Sequence, residues 1–173
     1  MPDALTGLGS RAELAALPIP EAGQRAIAFD VCGLIHVNDV CGHGAGDRVL
    51  VAVAELLRDF ATRHGGRVFR YAGDEFLWLV DDRANTTSRA LAGLVLRACA
   101  ALELASGRPG PKREHVRLNA VILTLRAADA LGPVALSERV AECLYREKLR
   151  ADCDVDLVAA EDASRGAEIG ETP

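Results

Sequence analysis

The segment Arg67-Val68-Phe69-Arg70-Tyr71-Ala72-Gly73-Asp74-Glu75-Phe76-Leu77-Trp78-Leu79-Val80 leaves the backbone little choice. Two runs rich in aromatic and aliphatic residues flank a tight stretch of small and acidic ones, a pattern that predicts a β-hairpin with two carboxylates at its turn. A lone hairpin is at best marginally stable in water, so the rest of the chain must extend the sheet and cover it.

The flanking sequence supplies those parts. Ala26-Ile27-Ala28-Phe29 is a short apolar run ending at Asp30, which predicts a buried strand delivering an acid at its C-terminal end. Leu34 to Cys41 reads as a short helix closed by Gly42. From Asp47 to His64, Val49, Val53, Leu56, Leu57 and Phe60 recur at helical spacing, while Arg48, Glu55, Arg58, Asp59 and Arg63 lie mostly off that stripe. Gly65-Gly66 ends this helix. Ser10 to Leu17 predicts a lead-in helix stopped by Pro18-Ile19-Pro20. Ser88 to Ser106 predicts a second long helix with Leu91, Leu94, Ala98 and Leu102 on one face, followed by a loop from Gly107 to Lys112. Val116 to Leu125 reads as a strand, Leu136 to Leu149 as a helix and Val155 to Ala159 as a last strand. The order βααββαβαβ predicts an α+β fold, a mixed central sheet with helices packed on it. Residues 1–160 are expected to form the domain and residues 161–173 a flexible tail.

Composition narrows the class. At 173 residues, half of them hydrophobic, the chain can bury one substantial core but not two ordinary ones. It has neither a continuous apolar run of spanning length nor a basic N-terminal region leading into an apolar stretch, so no membrane association is expected. A formal charge of -5 gives no electrostatic footprint for polymeric nucleic acid. Cys32, Cys41, Cys99, Cys143 and Cys153 form an odd set with no CxxC pair, which fits thiols in a reducing cytosol and a cytoplasmic location. His36, His64 and His115 have no metal-ligand spacing.

Three acids stand out by placement. If the first strand and the hairpin are sheet neighbours, Asp30, Asp74 and Glu75 converge at one end of the sheet. Hard cations take oxygen ligands, so that convergence could hold Mg²⁺, whereas acids in turns are more often simply solvated.

Four blocks carry a resemblance to a known family. Asn38-Asp39-Val40-Cys41-Gly42-His43-Gly44-Ala45-Gly46-Asp47-Arg48-Val49-Leu50 resembles the NDxxGHxxGDxxL segment of GGDEF domains, and Arg70-Tyr71-Ala72-Gly73-Asp74-Glu75-Phe76 resembles their RxGGDEF signature. Asp3-Ala4-Leu5-Thr6-Gly7-Leu8 with Arg11 is similar to DxLTGLxNR, and Ala141-Glu142-Cys143-Leu144-Tyr145-Arg146-Glu147-Lys148 to ADxALYxAK. The blocks occur in the family's order and spacing over about residues 3–159.

The resemblance implies a diguanylate cyclase, a maker of a bacterial second messenger. Two GTP condense to cyclic di-GMP with release of pyrophosphate, and each partner of a transient or stable homodimer holds one Mg-GTP. Asp30, the Val31 carbonyl and Asp74 would be ligands of Mg²⁺ or Mn²⁺. Asp74 is also the candidate base, with Glu75 beside it in the site. Asn38 and Asp47 would meet the guanine edge, His43 would lie near the nucleotide and Lys148 would reach the triphosphate. Gly33 and Leu34 would offer backbone N–H groups to phosphate oxygens.

Departures from the pattern are specific. Ala72 replaces the first Gly of the signature, Cys32 a second acid, Ile35 a commonly basic position, Ala151 a Gly and Asp152 an Arg, while Asn119-Ala120-Val121 lacks SxG. Arg63-His64-Gly65-Gly66 stands where a product-inhibition motif would need an Asp at position 66. Two alternatives therefore stay open: a degenerate domain that binds GTP or a protein partner without catalysis, and a related cyclase making another cyclic nucleotide. Met1 stands almost directly on the opening motif, so any sensor domain is expected to be absent, removed or on a separate chain.

Overall fold

The computed structural model describes residues 1–18, 24–81, 87–102, 117–124, 133–150 and 158–160. Its elements are β1 (Gly9–Ser10), α1 (Arg11–Ala15), β2 (Gln24–Cys32), α2 (Leu34–Cys41), α3 (His43–His64) and β3 (Arg67–Arg70). They continue with β4 (Glu75–Asp81), α4 (Thr87–Ala100), β5 (Arg117–Thr124), α5 (Pro133–Arg150) and β6 (Val158–Ala160). From β2 onward the order is the expected βααββαβαβ. The loop at 107–112, the tail at 161–173, His115, Ala151, Asp152 and Cys153 lie outside the described residues, as do the ends predicted at 103–106 and 155–157.

Among the described residues six strands form one mixed sheet in the order β1-β3-β4-β2-β5-β6. β2 pairs antiparallel with β4 on one side and β5 on the other, so its residues from Arg25 to Val31 are all buried. That central place explains why its sequence reads as a near-continuous apolar run rather than an alternation. The β1 and β3 pair and the β5 and β6 pair are parallel.

The alternation of side chains splits the core in two. Ile27, Phe29, Phe76, Trp78 and Ile122 face α3 and α4, and Ala28, Leu77 and Val121 face α1 and α5 through Leu14, Val140 and Leu144. Trp78 is fully buried and donates its indole N–H to the Gly65 carbonyl at 3.0 Å, which ties β4 to the end of α3.

Three helices correct the sequence reading in detail. α3 begins at His43 rather than at Asp47, because Gly42, at φ +83°, ends α2 and lets the chain turn at once into α3. The first turn of α3 carries little apolar periodicity, since Ala45 and Gly46 are buried by their small size. On α4 the buried stripe is Leu91, Ala92, Val95 and Cys99, while Leu94, expected on it, is 40 % exposed. Helical steps of three and four from Leu91 reach Val95 and Cys99, and Leu94 falls to the rim. α1 starts one residue later than expected because Ser10 is its N-cap. The Ser10 hydroxyl accepts from the Glu13 N–H, and the Glu13 carboxylate accepts from the Ser10 N–H. No helix among the described residues is long and apolar enough to cross a membrane.

Candidate active site at the end of the central strands

Antiparallel pairing of β2 with β4 sets Asp30 opposite Glu75. The contact continues into the turn, where the Val31 N–H donates to the Asp74 carbonyl at 3.1 Å. A carboxylate oxygen from each of Asp30, Asp74 and Glu75 lies within 4.8 Å of the others. Asp30 is 1 % exposed, and the other two are half-buried. Three like charges at that spacing repel one another, and an all-oxygen donor set of this kind fits a hard divalent cation. Asp30 does not end its strand, as the sequence suggested, because β2 runs on to Cys32. By alternation Asp30 follows Ala28, and Glu75 precedes Leu77, so both acids project on the face covered by α1 and α5.

The hairpin turn is held from below. The Tyr71 N–H donates to the Glu75 carbonyl at 3.2 Å, and the Glu75 N–H donates to the Ala72 carbonyl at 3.4 Å. Arg70 donates to the Gly73 carbonyl from Nε at 2.9 Å and from Nη2 at 2.6 Å, and reaches the Asp3 carboxylate with Nη1. Asp3 in turn accepts from the Thr6 N–H at 2.9 Å and the Thr6 hydroxyl at 2.7 Å. Burial pushes the Asp3 carboxyl up, but the Thr6 bonds and Arg70 outweigh it and hold the group below the usual carboxylate range. Arg58 of α3 closes the N-terminal turn by donating to the Thr6 carbonyl at 2.6 Å.

The remaining candidates lie around α2, α3 and α5. Gly33, at φ +74°, is the N-cap of α2 and gives it no side-chain cap, so no side chain from that position occupies the first-turn N–H groups at Leu34 and beyond. Asn38 is half-buried on α2, and its side-chain oxygen is buried against Gly46 of α3 without a hydrogen-bond partner. His43 and Asp47 are exposed on the first turns of α3, one helical turn apart. Lys148 belongs to α5, one turn beyond the buried Leu144. Ile35, at the commonly basic position, is 77 % exposed.

The structure thus brings Asp30, Asp74, Glu75 and Val31 together and sets Asn38, His43 and Asp47 along the packed pair of α2 and α3. Sequence reasoning missed two residues. Arg70 was read only as a strand residue and a letter of the signature, and its tie to Asp3 lies 67 residues away in sequence. Tyr71 was read only as strand and as the variable letter of the signature, and nothing in its local sequence marks that its side chain is buried on the face of Asp30 and Glu75.

Comparison with known proteins follows the same lines. Residues 1–152 match the family described as "Diguanylate cyclase, GGDEF domain". Diguanylate cyclase DgcM of Escherichia coli K12 is 33% identical over 159 residues, which take in 84% of this chain and 35% of DgcM. The chain therefore spans about a third of that relative's length. The GGDEF domain of PA1120 (YfiN or TpbB) from Pseudomonas aeruginosa superposes with a TM-score of 0.72 at 27% identity, covering 90% of this chain and 98% of that one. The coiled coil and GGDEF domain of DgcB from Caulobacter crescentus, in complex with c-di-GMP, gives a TM-score of 0.73 at 18% identity over 92% of this chain and 85% of that one, a likeness of fold alone. Family match, relatives and fold agree with the acid-bearing hairpin and the two motif helices: the chain belongs to the diguanylate cyclase GGDEF-domain family.

Proposed function

We propose that the protein is a diguanylate cyclase that condenses two GTP into cyclic di-GMP and releases pyrophosphate. The observation that carries this reading is the convergence of Asp30, Asp74 and Glu75 within 4.8 Å. In this reading Asp30, Asp74 and the Val31 carbonyl hold Mg²⁺ or Mn²⁺. When bound, the ion polarises the α-phosphate and lowers the pKa of the attacking 3′-hydroxyl.

The protein's own groups do the rest. Asp74 takes the proton of the 3′-hydroxyl as O3′ bonds to the α-phosphorus and the bond to pyrophosphate breaks. Glu75 stands beside it in the site. The N–H groups of Gly33 and Leu34 donate to phosphate oxygens at the start of α2, and Lys148 balances triphosphate charge. Asn38 and Asp47 read guanine, whose N1–H and N2–H₂ suit a carboxylate acceptor; adenine lacks both donors and leaves that charge unpaired. His43 lies beside the nucleotide. Each protomer holds one GTP, so the complete site forms only between two copies. The proposed location is the cytoplasm, supported by a sequence with an odd number of cysteines and no CxxC pair.

Ile35 favours a second reading, a domain that binds GTP or a protein partner without turnover. Each missing charged contact to phosphate weakens binding by roughly 1–3 kcal/mol. In the first reading, Arg146 or Arg150 of α5 replaces such contacts. Incubation with Mg²⁺ and each nucleoside triphosphate, followed by chromatographic identification of products, separates the readings. Cyclic di-GMP from GTP alone is expected. Stabilisation by Mg-GTP without product would establish the binding domain instead, and a cyclic product from ATP would point to a related cyclase.

A further inference from the structure

Tyr71 lies at the foot of the hairpin and is 5 % exposed. Its N–H donates to the Glu75 carbonyl at 3.2 Å, so the two residues face each other across the turn. Partners of this kind project to the same side of a sheet and lie near enough for their side chains to meet. Tyr71 belongs to the apolar cluster that contains Ala28 and Leu77, the neighbours by alternation of Asp30 and Glu75. Packing therefore holds the ring on the same face of the sheet as Asp30 and Glu75.

The hydroxyl is the unusual part. Its oxygen is buried and has no hydrogen-bond partner, although the Glu75 carboxylate is close enough to act on it. An unperturbed phenol already stays protonated at neutral pH, so the hydroxyl is a donor. A buried hydroxyl without a partner destabilises a fold, and phenylalanine would fill the same apolar space without that burden. Packing alone gives no reason for the oxygen.

We infer that Tyr71 is a positioning residue: its buried hydroxyl, unpaired in this structure, is placed to donate to the Glu75 carboxylate and so to fix the orientation of that group relative to Asp30 and Asp74. Glu75 shares one oxygen cluster with the proposed ligands Asp30 and Asp74, and loss of a hydrogen bond that orients a carboxylate at a metal site weakens metal affinity. The inference rests on the proposed metal site. It also gives Glu75 an orientation that the backbone pairing does not set, because register places its Cα and leaves its carboxylate free to rotate.

The test uses the full chain and its Tyr71→Phe variant, with Mn²⁺ as the probe. Melting in chelator, Mn²⁺ affinity by titration, and kcat and KM for GTP are measured on both. The variant should melt at the same or a higher temperature in chelator, bind Mn²⁺ about 10-fold more weakly, and lose kcat with KM for GTP little changed. In a Glu75→Gln background, adding Tyr71→Phe should change Mn²⁺ affinity no further, because the acceptor is already altered. Equal Mn²⁺ affinity in parent and variant, a fold that collapses on loss of the hydroxyl, or full additivity with Glu75→Gln would each overturn the role assigned to Tyr71. A parent that does not bind Mn²⁺ at all would overturn the metal site itself, and this inference with it.

Discussion

Arg70 donates from one guanidinium nitrogen to both carboxylate oxygens of Asp3, at 3.2 and 3.4 Å, across 67 residues of sequence. The same guanidinium grips the Gly73 carbonyl through its other two nitrogens, so one side chain joins the N-terminal turn to the turn that bears Asp74. Lysine keeps the charge but cannot serve both partners, because it lacks the planar fork. Arg70→Lys is expected to lower stability by about 1–3 kcal/mol and to slow cyclisation further than that loss explains. Thermal melts beside initial rates check this; a variant indistinguishable from the parent in both would detach the N-terminal turn from the site.

The same link sets an acid limit. Asp3 is held below its ordinary value of 3.8, since the Thr6 bonds and Arg70 outweigh the upward push of burial. A depressed carboxylate contributes stability that is fully present above the unfolded pKa and is lost as pH falls through the folded one. Melting temperature should therefore drop as pH falls below about 4, and Asp3→Asn should flatten that part of the curve. An unchanged slope in the variant would mean that Asp3 gives the fold no pH-dependent support.

Asp30 and Asp74 separate chemistry from folding. Asparagine keeps the volume of either residue and removes one charge from a cluster whose members repel without metal. Asp30→Asn and Asp74→Asn should each abolish cyclisation and the stabilisation by Mg-GTP, with an unchanged or higher melting temperature in chelator. Undiminished product from Asp74→Asn would remove that residue from the reaction.

In the proposed site, base selection is expected to depend on how closely α2 and α3 pack. The Asn38 side-chain oxygen occupies the space where a Cβ on Gly46 would stand, so Gly46→Ala must push that amide away. The expected result is a loss of about 1–3 kcal/mol in stability and a raised KM for GTP. Asp47→Ser, which replaces a charged acceptor with a hydroxyl that can donate or accept, should relax selection towards ATP while the fold stands. A parent that binds ATP as tightly as GTP would contradict the assignment of Asn38 and Asp47 to guanine.

Feedback by product through Arg63 and position 66 is expected to be closed by backbone shape as well as by composition. Gly66 has φ +94°, and a Cβ there would run into the Leu79 carbonyl and stand 2.7 Å from the Trp78 indole nitrogen. Arg63 is exposed and paired with Asp59 at 3.2 Å. Gly66→Asp should destabilise the protein by about 1–3 kcal/mol without creating product inhibition. Tight cyclic di-GMP binding by the parent that disappears in Arg63→Ala would show that the surface works without the carboxylate.

The elements with strong local patterns were legible in the sequence. α2 matches its expected bounds from Leu34 to Cys41, and the hairpin and β5 lie within a residue of theirs. Periodicity failed where size replaced hydrophobicity, as at Ala45 and Gly46, and where a single leucine sat at the rim of its stripe, as at Leu94. The two-residue β1 was invisible because its partner lies in β3, far along the chain. In the site, the three acids could be gathered from strand order alone. The ties from Arg70 to Asp3 and from Tyr71 towards Glu75 could not, since they depend on the direction of side chains that motif letters leave unstated.

β2 is bonded on both edges and covered on both faces, so Asp30 cannot shift without dismantling the middle of the sheet. Asp74 and Glu75 stand on the other half of the site, at a turn steadied by a handful of contacts from Arg70, Tyr71 and Val31. Mechanically, the site is an anvil and a jaw. A displacement of the chain's first turn would reach the jaw through Arg70, which holds both Asp3 and the Gly73 carbonyl, while the anvil stayed fixed by the sheet.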